Sequence, residues 1–98
     1  MNAKIKAYEN RFPSVTNLQV KEVNQCNKRY IATFTYKRTT RVMVRFGQIG
    51  AYTYFDGAPV EKQKSYKARA RKIVNKQGVY TYKKAGTANS LAFWLLWN

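Results

Sequence analysis

Apolar and polar side chains alternate along residues 29–37 and again along residues 41–46, with the two-residue period of β-strands. Residues 15–23 are interpreted as a preceding strand, and polar turn formers follow at residues 24–27. The pattern predicts a three-stranded antiparallel meander with one apolar face and one partly basic face. Residues 51–55, set between glycines, are a candidate fourth strand. The side chains expected on the apolar face are Tyr30, Ala32, Phe34, Tyr36, Val42, Val44 and Phe46.

A helical period follows Pro59, which suits a first helical turn, and is expected to end at Gly78, which suits a C-terminal cap. Its apolar arc is narrow and is flanked by cations on both sides, so the helix should dock on the sheet and leave its charges in solvent. The arc consists of Tyr66, Ala70, Ile73 and Val74. One side carries Lys64, Lys67 and Arg71, and the other carries Lys62, Arg69, Lys72 and Lys76.

The last twelve residues are apolar almost all round after Thr87, a plausible helix N-cap. Such a segment is either buried or held at an interface, and the core is favoured because a small domain needs its tryptophans there. Trp94 shares a stripe with two leucines, so its loss is expected to cost more than the loss of Trp97 near the end. Residues 79–86 are a candidate short strand. The sequence predicts one α+β domain, residues 1–98, in which a three- to four-stranded antiparallel meander packs with one basic amphipathic helix and a short aromatic C-terminal helix.

The charge balance is strongly basic, because 19 Lys and Arg face only four Asp and Glu, a net charge of +15. At 45% hydrophobic and 15% aromatic residues, the chain is too apolar for a disordered basic tail. A small folded body with this charge is expected to work beside a negative partner, which is nucleic acid, an acidic protein surface or, as the weakest alternative, a membrane surface. No membrane span is expected, since the apolar stretch 91–97 is too short. Residues 1–12 show no signal peptide, and the single cysteine, Cys26, fits a reducing compartment.

Catalysis is not expected, because the chain lacks the residues that usually perform it. There is no His, which removes the commonest general base and the commonest metal ligand. A lone Cys cannot form a Cys–His nucleophile, and four scattered carboxylates do not suggest a two-metal site. The chain is therefore predicted to be no enzyme, to hold no cofactor or metal and to take no small-molecule substrate.

Basic residues interleaved with aromatic ones are the remaining chemical feature, and this combination is typical of polyanion contact. The candidate polyanion-binding residues are Lys62, Lys64, Lys67, Arg69, Arg71, Lys72, Lys76, Lys83 and Lys84. The candidate stacking or interface residues are Tyr66, Tyr80, Tyr82 and Trp97. For any single tyrosine, half-buried packing with a hydrated hydroxyl is the simpler interpretation.

Three stretches, RVMVRFGQIGAYTYFDG, KSYKARARKIVNKQG and GTANSLAFWLLWN, resemble a family of small basic proteins of unassigned function. That family is encoded mainly by large double-stranded DNA viruses of eukaryotes. The resemblance covers residues 42–98, and it departs from the family at Ala70, where members often carry His, and at the end, where many continue. It supplies no catalytic residue and implies a viral context. The matching positions are Phe46, Gly47, Gly50, Tyr54, Asp56, Tyr66, Arg69 and Leu95–Asn98.

These features together favour a virion-associated structural protein, such as a minor capsid, cement or core protein. Its expected partners are capsid proteins, the packaged viral DNA or both, with RNA as an alternative. Its expected location is the virion, and the host cytoplasm or nucleus during assembly. The second hypothesis is a non-specific DNA- or RNA-binding protein that acts in infected cells.

Overall fold

Three antiparallel strands, neighbours in sequence order, form the only sheet, and the N-terminal helix and the C-terminal helical segment lie against one of its faces. The basic helix packs on that C-terminal segment and not on the sheet, where it was expected. The computed structural model describes residues 1–98. The α+β class and the small meander predicted from the sequence are confirmed. The elements are α1 (Asn2–Arg11), β1 (Val15–Gln25), β2 (Lys28–Tyr36), β3 (Thr40–Gln48), α2 (Val60–Ala70) and α3 (Ala88–Leu91), which continues as a π-helical turn (Ala92–Leu96).

The strand register produces the predicted apolar face. Tyr30 lies opposite Phe46, and Ala32 lies opposite Val44, all on the inner face. Tyr30, Ala32 and Phe46 are buried there, together with Phe34. The outer face carries the intervening residues, and its exposed members include Arg41, Met43 and Arg45.

The C-terminal segment covers the inner face. Thr87 caps α3 as predicted, since its hydroxyl accepts the Ser90 N–H at 3.1 Å. Leu91, Leu95 and Leu96 are at most 1% exposed, so the segment belongs to the core of this domain. This burial supplies much of the apolar area that holds a small sheet together.

Helix α1 is an element that the sequence pattern did not predict. It is tied to the C-terminal segment by Tyr8, whose hydroxyl lies 2.7 Å from the Ser90 hydroxyl and accepts the Gly86 N–H at 2.9 Å. Gly86 has φ +76°, and a Cβ there would lie 2.8 Å from the Phe34 ring, so a larger residue would displace that ring. The hydrogen bonds of Tyr8 thus join α1, near the start of the chain, to α3, near its end.

The predicted extent of the basic helix is wrong at its C-terminal end. Helix α2 stops at Ala70, not near Gly78, because the Asn89 side chain donates to the Ala70 carbonyl at 3.0 Å. The chain then reverses direction in a turn that begins at Asn75. As a result Ile73 and Val74 are half-exposed and do not continue the apolar stripe.

Two candidate strands are also wrong. Residues 51–55 run through an irregular segment into a 3₁₀ turn, Tyr54–Asp56, because Thr53 and Asp56 cap each other's backbone. Residues 79–86 contain one isolated bridge, from Tyr80 to Val74, followed by a 3₁₀ turn, Thr81–Lys83. Carbonyls of this segment accept hydrogen bonds from the Trp94 and Thr87 side chains, so no strand ladder forms.

An ion pair anchors the connection between β3 and α2. The two terminal nitrogens of the Arg29 guanidinium donate to Asp56, at 2.6 and 2.9 Å, and Nη1 also donates to the Ala51 carbonyl at 3.3 Å. The Thr53 N–H donates to the same carboxylate at 3.1 Å. Hydrogen bonding to Arg29 holds the pKa of Asp56 far below its usual range, and the same bond raises the pKa of Arg29.

Replacing Asp56 by Asn should lower the free energy of unfolding by about 1–3 kcal/mol, since the half-buried guanidinium loses its bidentate partner. Because the pKa of Asp56 is lower in the folded state, its contribution is present above its unfolded pKa, about 4, and declines as the pH falls below that value. Urea melts at pH 7 and pH 3 measure both effects. The exposed Glu61→Gln is the matched control, and equal stability of the two variants at pH 7 would contradict the anchoring role of the pair.

Candidate polyanion-binding site

Helix α2 separates two open grooves, each lined by a different set of its cations. Lys67 and Arg71 lie on one side, and Lys62 and Arg69 lie on the other, the same division that the helical period predicts. The first groove also receives Lys83, which is another residue predicted from the sequence. The structure thus brings five of the nine candidate cations into two defined surfaces.

We call the first surface the basic–aromatic groove. It encloses about 520 Å³ and is built from the end of α1, one side of α2, the 3₁₀ turn and the C-terminal segment. Its walls contain four cations and four aromatic rings, and no carboxylate lines it. The lining residues are Arg11, Phe12, Lys67, Arg71, Tyr82, Lys83, Phe93 and Trp94.

The floor of this groove is a continuous row of aromatic rings. Tyr82 lies 5.0 Å from Phe93, Phe93 lies 4.8 Å from Trp94, and Trp94 lies 6.4 Å from Phe12, measured between ring centres. These distances are typical of tilted and edge-to-face aromatic pairs. Trp94 is held further by its indole N–H, which donates to the Tyr82 carbonyl at 2.8 Å. The rings of the floor therefore hold one another in place by packing and by this hydrogen bond.

Each cation of the groove stands over a ring of that row. The Arg11 guanidinium lies 3.8 Å from the centre of the Trp94 ring system. Lys67 and Arg71 both stand over Phe93, at 5.2 and 5.5 Å, and Lys83 stands over Tyr82 at 5.6 Å. Cation–π attraction at these distances orients the head groups without neutralising them.

Lys67 shows the crowding of positive charge. Burial lowers its pKa, and the neighbouring charges of Arg71 and Lys4 lower it further. Its ammonium group donates to the Asn98 side chain at 3.0 Å, and Lys4 donates to the main-chain oxygen of the same residue. The Asn98 side chain is neutral and does not offset the charge of Lys67.

The acidic side chains are engaged in other parts of the molecule. Glu9 accepts the Leu18 N–H at 3.2 Å, Glu22 lies 3.4 Å from Arg29, and Asp56 is held by Arg29 as described. The remaining carboxylate lies in the first turn of α2, where a negative charge favours the helix dipole. The cations of both grooves are left without carboxylate partners.

The second groove lies between α2, the end of β3 and the C-terminal segment, and encloses about 590 Å³. It is more apolar than the first, and its cations are Lys28, Lys62 and Arg69. Lys62 lies 5.5 Å from the centre of the exposed Tyr52 ring. This surface offers a mixed apolar and basic contact area.

The other predicted cations line neither of these grooves. Lys64 lies on the exposed side of α2, Lys72 and Lys76 lie in the loop after it, and Lys84 follows the 3₁₀ turn. Conversely, Arg11 and Lys28 were missed by the sequence analysis. Arg11 belongs to a helix that was not predicted, and only tertiary packing brings either residue beside α2.

The candidate stacking residues divide into two kinds. Tyr66 and Trp97 stack on each other, with ring centres 4.3 Å apart and planes inclined by 10°, and Trp97 is 5% exposed. Trp97 therefore packs within the core, the location favoured from the sequence, and little of its ring is open to a partner. Tyr82 belongs to the groove floor, and only Tyr80 is half-exposed.

The comparison with known proteins places the chain in a family. A model described as "Family of unknown function (DUF5754)" matches residues 18–70, more than half of the chain. The chain belongs to this family. An uncharacterised protein of Acanthamoeba polyphaga mimivirus is 37% identical over 94 residues, covering 96% of this chain and 93% of that protein. The expected resemblance to proteins of unassigned function in large DNA viruses is confirmed at this level. No solved structure matches.

The region matched by the DUF5754 family differs from the expected one. It begins at Leu18 rather than in β3 and ends at Ala70, the last residue of α2, so Leu95–Asn98 lies outside it. It includes both partners of the ion pair, Arg29 and Asp56. None of the helices has both the length and the hydropathy needed to span a bilayer.

Replacing Trp97 by Ala should destabilise the protein by about 3–5 kcal/mol, because it removes a buried ring and its stack with Tyr66. Trp94→Ala should cost less, because Trp94 is half-buried in the groove floor. This order reverses the one expected from the sequence. Thermal melts of the two variants, with Trp97→Phe as a control that keeps a ring, test it, and a wild-type melting curve for Trp97→Ala would refute the assignment to the core.

Proposed function

We propose that this protein is a non-enzymatic, virion-associated structural protein that contacts a polyanion through the basic surface around α2. The polyanion is the packaged genome or an acidic face of the capsid. The proposal rests on the basic–aromatic groove, where Arg11, Lys67, Arg71 and Lys83 converge from separate segments without a carboxylate. Such convergence is costly for a free protein, and a negative partner offsets it.

The viral context is supported by the mimivirus relative, which covers nearly the full chain. Binding rather than catalysis is supported by the chemistry of the grooves. Their polar side chains are cations, amides and tyrosines, and neither groove contains a carboxylate, thiol or imidazole that would serve as a general base near neutral pH.

The second hypothesis is a nucleic-acid-binding protein that acts freely in infected cells. Tyr52 favours it, since a half-exposed tyrosine beside a cation, here Lys62, is suited to stacking on an unpaired base. Both hypotheses use the same basic surface. They differ in whether the protein is retained in purified particles.

The virion assignment predicts a fixed copy number in purified particles of a virus that encodes this protein. Quantitative mass spectrometry, before and after the shell is separated from the core, measures that number and its location. A protein abundant in infected cells and absent from washed particles would reject the virion assignment and leave the free nucleic-acid-binding hypothesis.

The polyanion assignment predicts binding to duplex DNA that is non-specific and steeply salt-dependent. Five or six phosphate contacts would lower the affinity on the order of a thousandfold between about 50 and 200 mM salt, since each contact adds a log–log slope of about −0.9. Reversing Lys64, Lys67 and Arg71 to Glu should make that slope shallower by about 2.7. Fluorescence anisotropy of a labelled duplex measures it.

The matched control reverses Lys21, Arg41 and Arg45, which are exposed on the sheet and give the same change of net charge. All of these positions except the half-buried Lys67 are exposed, and exposed charges contribute little to stability, so both variants should stay folded. Equal losses in the test and control variants would show that net charge, and not the surface around α2, governs binding. A slope near zero for the wild-type protein would reject nucleic acid as the polyanion.

A further inference from the structure

The basic–aromatic groove combines two features that together define a ligand class. Its four cations come from α1, α2 and the 3₁₀ turn, so the folded chain assembles them and no single helix presents them. Each head group is also held over a ring of the floor. Cations fixed in this way lose little side-chain entropy when they bind, which favours a compact ligand.

The floor itself is not available for stacking with bases. Phe93 is 1% exposed and Phe12 is 8% exposed, and cations cover the faces of Phe93 and Trp94. A base would have to displace a guanidinium or an ammonium group to reach these rings. The groove is therefore suited to negative groups and not to aromatic ones.

The cation types indicate which negative group fits. A guanidinium pairs with two oxygens of one phosphate, and an ammonium acts as a point charge to a neighbouring one. The groove holds two residues of each type, and Lys67 and Arg71 lie over a single ring, close enough to repel each other. Closely spaced phosphates neutralise such a cluster better than isolated carboxylates.

We propose that the basic–aromatic groove is a binding site for a run of closely spaced phosphate groups, contacted by Arg11, Lys67, Arg71 and Lys83 without contact to bases. The site rests on the proposed function and deepens it, since it names the chemistry of the polyanion. Two sources present that chemistry, namely the sugar–phosphate backbone of a nucleic acid and a free inorganic polyphosphate.

The test uses the full chain and sodium tripolyphosphate as the probe, with NaCl of matched ionic strength as the reference. The wild-type protein should melt at a higher temperature with tripolyphosphate than in the reference, because a ligand that binds only the folded state stabilises it. Titration followed by tryptophan fluorescence should saturate, since Trp94 lies directly beneath Arg11. A wild-type protein with no melting shift and no saturable titration would overturn the proposal.

The decisive variant reverses Arg11 and Lys83 to Glu, because both line the groove and neither lies on α2. Its affinity for tripolyphosphate should fall by at least about tenfold, the loss expected for one or two charge-assisted contacts. Lys21→Glu with Arg45→Glu is the control of equal charge and should keep the wild-type affinity. Should the reversal unfold the chain, Arg11→Gln with Lys83→Gln replaces it, and an affinity equal to the control's would overturn the proposal.

Competition with a labelled oligothymidylate separates the two sources. Displacement of the oligonucleotide by tripolyphosphate supports the backbone of a nucleic acid as the natural ligand. Simultaneous binding of both supports a free polyphosphate in the groove. If tripolyphosphate fails to bind while salt-dependent DNA binding through α2 persists, the groove proposal is rejected and the proposed function stands.

Discussion

Burial of the C-terminal segment against the sheet is the constraint on which the rest of the structure depends. Leu91, Leu95 and Leu96 cover the inner sheet face, and each helix is positioned by contact with the same segment. Helix α1 is held through the Tyr8 hydroxyl, and α2 is held by the Trp97 stack and by Gln63, which donates to the Trp97 carbonyl at 3.0 Å. The basic–aromatic groove exists because this segment fixes α1 and α2 on either side of it, and the second groove exists because it holds α2 beside the end of β3. The candidate site therefore depends on the packing of the core.

In this arrangement the acidic residues stabilise the fold, and most of the cations are left without acidic partners. Arg29 pairs with Glu22 of β1 and with Asp56 at the connection between the sheet and α2, and Glu9 accepts a backbone N–H. Carboxylates used in this way cannot also neutralise the cations around α2. The surface around α2 therefore remains strongly positive beside the Arg29–Asp56 ion pair. The repulsion among its cations is offset by the burial of apolar side chains rather than by ion pairs.

The sequence pattern correctly predicted the elements that depend on interactions between residues close together in the chain. The alternation around Phe34 and the cap at Thr87 are decided within a few residues, and the structure confirms both. Helix α1 was missed because its main anchor, Tyr8, finds its partners Ser90 and Gly86 only in the folded chain. The end of α2 was misplaced for a similar reason, since the carbonyl that ends it is satisfied by a side chain of α3. In the candidate site, Lys67, Arg71 and Lys83 followed from composition, whereas Arg11 needed the tertiary structure.

The fold changes the interpretation of the aromatic residues. As sequence, tyrosines and tryptophans among cations suggest platforms for bases, yet Tyr66, Tyr82 and Trp97 are engaged with other rings of the same chain. The Tyr82 ring supports Lys83, and Tyr66 and Trp97 stack on each other, so none of the three rings is placed to receive a base. A surface of this kind has no means of reading sequence, because phosphates are the same at every position along a nucleic acid. The phosphate contact that we propose for the groove would therefore be independent of base sequence.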